Sequence, residues 1–163
     1  MTRLRITATS KITNAIVGGV FGLMAAGQLA SPAFAALGDD VSAVEQDRVR
    51  MHAILQVKSR TNYDIHELST EIGSTVREFV GQTGKVFAVS WSGGWRPNLR
   101  DLMGAHYDRF IAHTRGKLRA RGPARIELPG MVVFMGTYLR TSFGHVYLTD
   151  QLPEGFSPGK IEQ

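Results

Sequence analysis

The stretch "VREFVGQTGKVFAVSW", Val76 to Trp91, decides the fold. β-Branched and aromatic residues crowd both of its flanks, while Gly81-Gln82-Thr83-Gly84 sits between them. That pattern predicts two strands, Thr75 to Val80 and Lys85 to Trp91, joined by a hairpin. "VFAVSW" is apolar at successive positions, as a central strand covered on both faces would be. The same residues, Gly81 to Lys85, also look like a phosphate loop. A true one needs four residues between its glycines and a Ser or Thr after the lysine, whose hydroxyl reaches Mg²⁺. Here two residues separate the glycines, Val86 follows Lys85, and strand flanks the loop where a helix should begin. The nucleotide reading fails, and Lys85 is expected to be a solvated strand residue.

Outward from this hairpin, other elements follow. Ser42-Ala43-Val44-Glu45 fits a capping box, with the Ser42 hydroxyl as cap, and predicts a first helix from about Ala43 to Ala53. "LQVKSRTNYDIHEL" reads as extended chain, broken by the polar "KSRTN". A second helix is expected from Asn98 to Arg115. Asn98 serves as its cap, Gly116 stops it, and Leu99, Leu102, Met103, His106 and Phe110 form one stripe at helical spacing. Gly104 falls inside that stretch, which implies close approach of the helix backbone to a strand. Further strands are expected around Val132 to Thr137 and His145 to Leu148. The expected fold is α+β: an antiparallel sheet of about five strands, one amphipathic helix packed across a face, and a shorter N-terminal helix.

The N-terminus carries an address. Arg3, Arg5 and Lys11 precede the weakly polar apolar run Ile12 to Ala30, and "SPAFA" ends on the small-x-small pattern that a signal peptidase reads. Residues 1–35 are therefore expected to be a cleaved secretory signal peptide, and 36–163 a single exported domain, periplasmic or secreted. Three of the 19 basic residues lie in the leader and none of the 14 acidic ones, so 36–163 carries a formal charge of +2. That balance does not suit general nucleic-acid binding. There is no cysteine, hence no disulfide, and an exported domain of this kind must be held by its core.

"YDIHEL", "GSTVREFV", "GKVFAVSWSG" and "PNLRDLMGAHYDRF", after an "AALG" start, carry a resemblance. Together they resemble the family of small exported bacterial proteins catalogued as domain of unknown function 2844, over about Ala36 to Ile161. The resemblance implies export and one domain. It brings no catalytic residue with it, and Asp64 departs from the Tyr-Thr-Val-His-Glu type of string found in members.

The chemistry-bearing residues give weak signals. His66-Glu67 lacks the second histidine of a zinc helix, since position 70 is Thr. His106 and His113 lie seven apart, about 10 Å along a helix, which is long for two ligands of one metal. No motif implies a cofactor. Asp64, Glu67, Glu71 and Glu78 cluster near the early strands, and a glycan-directed envelope hydrolase would need two of them at a fixed separation. Their alternation beside Arg77 implies solvated sheet edges instead. Trp91 and Trp95 bracket "SGG" and either present an aromatic platform for a sugar ring or a partner's apolar patch, or form core and lid. Arg115, Lys117, Arg119, Arg121 and Arg125 form a segment without acid. They are either a solvated loop or a patch for an anionic envelope component, such as lipid phosphates or an acidic polysaccharide. The expected function is a non-catalytic binding or accessory domain at the envelope. The alternative is the hydrolase.

Overall fold

A computed structural model describes residues 37–94, 96–116 and 122–161. Helix α1 (Ser42–Arg50) is followed by strands β1 (Ile54–Ser59), β2 (Tyr63–Ser69), β3 (Thr75–Gly81) and β4 (Val86–Gly93). Helices α2 (Leu99–Met103) and α3 (Tyr107–Thr114) follow, then β5 (Ala124–Leu128), β6 (Met131–Tyr138) and β7 (Thr141–Leu148). All strands pair antiparallel in one sheet ordered β1-β2-β3-β4-β7-β6-β5. The α+β class and the antiparallel sheet agree with expectation, but the sheet has seven strands and not about five. The extra ones are short or polar: β1 and β2 came from chain read only as extended, and β5, "ARIEL", alternates charge with apolar residues at a sheet edge.

The hairpin closes as its glycines require. Gly84 has φ +75°, and its N–H donates to the Gly81 carbonyl at 2.9 Å. Lys85 is exposed. β4 is the middle strand, and its first six residues are buried. A bulge makes this possible, because the register slips where Phe79 and Val80 face Ala88 and Val86. Phe87 and Ala88 therefore both join the cluster on one face, while Val86, Val89 and Trp91 join the other.

Two helix expectations are corrected. Ser42 does not cap α1; it is the first helical residue, and the Asp40 carboxylate accepts its N–H at 3.0 Å. The cap moves upstream because residues 38–41 are tied to the hairpin by Gly38 N–H to Val86 O and Val41 N–H to Gly84 O. The second helix is not continuous. Asn98 does cap it, accepting from the Arg100 N–H, but Gly104 takes φ +48° and ψ −125° and splits it into α2, a 3-10 turn and α3. Gly104 is needed for that backbone conformation, which side chains with a Cβ strongly resist.

The helices cover one face of the sheet, over a core that includes Leu68, Val76, Val89, Trp91, Leu102, Met103 and Phe110. The second face is half covered. The tail after β7 lays Leu152, Phe156 and Ile161 over Phe79, Phe87, Val132 and Tyr147. Phe156 meets Phe87 and Tyr63 edge-on, with ring centres 4.9 and 5.1 Å apart.

Leu102, 1% exposed, sits at the centre of the helix layer. Leu102→Ala is expected to cost about 2–5 kcal/mol by denaturant titration. Gly104→Ala should destabilise as well, by about 1–3 kcal/mol. Inside a continuous helix the same change would stabilise by about 1 kcal/mol, so the sign of the shift tests the break.

Candidate functional site

Strand alternation separates the residues that the sequence groups together. Trp91 is 5% exposed and lies in the core beneath the helices, while Trp95 lies outside the described residues. Of the basic segment, Arg115 is exposed at the end of α3, and Lys117, Arg119 and Arg121 lie outside the described residues. Arg125 is on β5, where its Nε donates to Glu127 at 2.9 Å and its guanidinium reaches the Tyr147 hydroxyl. The four carboxylates do not converge. Asp64 and Glu67 fall on opposite faces of β2, and Glu71 is exposed in the turn before β3. Glu78 is wholly buried and not on a solvated edge. His106 is half-buried and held low by burial and by Arg109, whose Nη2 lies 3.3 Å from its Nδ1. His113 is exposed, and among the described residues no cluster of acids and histidines could hold a metal ion.

A different set of residues does converge, on the second face. Register brings Lys58 of β1, Ile65 and Glu67 of β2, and Arg77 and Phe79 of β3 to that side. With Arg60, Tyr63 and Lys160 from the tail they line a groove of about 360 Å3. Among the described residues its lining holds four cations and one carboxylate. Glu67 accepts from Arg77 Nε at 2.6 Å and from Lys58 Nζ at 3.0 Å. The guanidinium first, then the ammonium, holds its carboxyl below the usual range. Glu67 thus orders two of the cations without cancelling the groove's positive charge.

Arg77 also lines a second groove, of about 300 Å3, beside Ile161 of the tail. Thr75, Ser90 and Ser92 supply hydroxyls on one side, and Phe134, Phe143 and His145 supply rings on the other. Phe134 stacks on His145 with centres 5.3 Å apart and planes 27° apart, and Phe143 lies 6.2 Å from Phe134. Gly136 makes room for the Phe143 ring; a Cβ there would come within 2.6 Å of its Cζ. The sequence reading missed both grooves, because their residues come from strands far apart in the chain and meet only through register.

Beneath the helices lies an unusual buried group. Asp47 of α1 and Glu78 of β3 are both wholly inaccessible to water. Neither Glu78 oxygen meets an N–H or hydroxyl donor among the described residues. The group facing it is the Asp47 carboxyl, and two carboxyls can bond only if one keeps its proton. Burial first, then the Asp47 charge, accordingly pushes Glu78 well above the usual carboxylate range, with Arg50 opposing. Arg50 joins Asp47 at 2.5 Å and reaches Asp101 of α2 at 2.5 Å, linking the two helices over the pair. His66 and Val89 flank Glu78 on the neighbouring strands, and burial lowers the imidazole.

The sign of the pH effect follows. Glu78 in the folded chain holds a proton that the unfolded chain releases above about pH 4.5, so stability falls as pH rises from there toward the raised folded value. One such proton changes stability by at most about 1.4 kcal/mol per pH unit. Glu78→Gln keeps a donor for Asp47 and carries no titrating proton. Urea midpoints measured across pH should show wild type losing ground to Glu78→Gln as pH increases. His66, which drives the opposite trend as pH falls, is common to both proteins and drops out of the difference. Parallel curves would mean that the pair shares no proton.

The comparisons with known proteins give a family and nothing finer. No curated protein and no solved structure matches the chain. A family model described as "Protein of unknown function (DUF2844)" matches residues 33–161, most of the chain, and the protein therefore belongs to that family.

Proposed function

We propose that this chain is a non-catalytic binding domain of the cell envelope and that it takes an anionic envelope component on the basic groove of its second face. The observation that carries the reading is the gathering of Lys58, Arg60, Arg77 and Lys160 along one groove in which, among the described residues, Glu67 is the one carboxylate. Partly exposed cations gathered in a concave surface concentrate field lines and attract polyanions, and arginine adds a forked donor suited to carboxylate or phosphate oxygens. Two of the four acidic residues that a hydrolase could draw on are otherwise engaged: Glu67 in two ion pairs and Glu78 against Asp47, away from solvent. Of the Arg115 to Arg125 segment, Arg125 lies on the same face at the opposite edge of the sheet, paired with Glu127. Export rests on the basic leader, its apolar run and "AFA" at 33–35.

Two measurements test this. Intact mass of the protein recovered from its host's envelope should correspond to a chain beginning at Ala36; stable full-length chain in the inner membrane would contradict export. Retention on an immobilised acidic polysaccharide and on anionic vesicles should be strong at low salt and weaken steeply as ionic strength rises, since the screening length is already about 8 Å at physiological salt. Lys58→Gln with Arg77→Gln should lower retention at least tenfold. Wild-type protein that passes both supports at low salt, or a double variant retained equally, would end the binding reading.

A further inference from the structure

We infer that the anionic partner is an acidic polysaccharide lying across the two grooves of the second face, with a carboxylate in the basic groove and sugar rings on Phe134 and Phe143. This rests on the basic-groove reading and deepens it. The two grooves share Arg77, so they are neighbours along a line from the Lys58 edge to β6. Arg77 and Phe134 are separated by three strand intervals, about 14 Å at the usual spacing. That distance suits a chain of several linked units better than one small anion. The lining chemistry selects the kind of chain. A pyranose ring has an apolar C–H face, which packs on an aromatic ring, and a rim of hydroxyls, which exchange hydrogen bonds with groups such as Thr75, Ser90 and Ser92. An acyl tail would leave those three hydroxyls without water or partner, which disfavours a lipid as the full occupant. Gly136 contributes by letting the Phe143 ring settle over β6 instead of being pushed aside.

The test compares an oligogalacturonate with inorganic phosphate and with phosphatidylglycerol vesicles, using the exported domain by calorimetry or retention. Arg77→Gln should weaken binding of all the anions that wild type takes up. Phe134→Ala and Phe143→Ala should weaken the oligogalacturonate about three- to tenfold and leave phosphate unchanged. Gly136→Ala, which keeps both rings but displaces Phe143, should act like Phe143→Ala, and Ser92→Ala covers the case in which an aromatic variant fails to fold. Oligogalacturonate binding that needs Arg77 but is indifferent to Phe134, Phe143, Gly136 and Ser92 would overturn this inference and leave the basic groove standing. Vesicle binding without oligogalacturonate binding would overturn it in favour of lipid, and preference for a single-stranded oligonucleotide would overturn it in favour of nucleic acid. If none of these anions binds, the basic-groove reading falls with it.

Discussion

The structure depends on the pairing of β4 with β7. β1 to β4 form one meander and β5 to β7 another, and the ladder from Ala88–Tyr147 to Gly93–Ser142 joins them into one sheet. The groove lined by Phe134, Phe143 and His145 crosses that seam, from Ser90 and Ser92 of β4 to β7 and β6. The pairing is demanding, because Trp91 stands opposite Gly144 and its indole lies across β7 at that point. A Cβ at 144 would come within 2.5 Å of the Phe134 carbonyl oxygen and would also strike the indole. The largest side chain of the seam is thus accommodated by the absence of one on its partner. Phe143 and Gly136 repeat the arrangement on the other face. The sheet uses glycine at these two positions for space, whereas Gly84 and Gly104 serve the backbone's own geometry.

Much of the fold was legible in the sequence. Apolar density marked β4 as central, and the Asn98 cap and the stop at Gly116 marked the ends of the helical region. The errors have physical causes. β5 is a five-residue edge strand with charged residues at alternate positions, so its period-two signal looks like an ordinary polar loop. The break at Gly104 was invisible because the apolar stripe continues through it; periodicity reports which face is buried and not whether the backbone is unbroken. Ser42 lost its capping role to a tertiary constraint, the tie between residues 38–41 and the hairpin.

The candidate site was less legible than the fold for a related reason. A motif can be read when its residues are close in the chain, but Lys58, Arg77 and Lys160 are brought together by sheet register and by the path of the tail. The basic segment from Arg115 attracted attention because its charges are contiguous, whereas the groove's charges are scattered through segments of ordinary composition. Glu78 misled for the same reason. Beside Arg77 it looks solvated, yet alternation turns the two side chains to opposite faces, one beneath α1 and the other toward the grooves.

The buried acid pair also couples folding of this chain to proton uptake at pH values between the ordinary carboxylate range and the raised Glu78 value. In that range an unfolded chain has both carboxyls ionised, whereas the folded one shields Glu78 beside Asp47, where the charge is disfavoured. The buffer releases the proton that the fold takes up there, and the heat of doing so enters any calorimetric measurement. The apparent enthalpy of folding would then differ between phosphate and an amine buffer at the same pH, in proportion to their ionisation enthalpies, although the folded structure is the same in both.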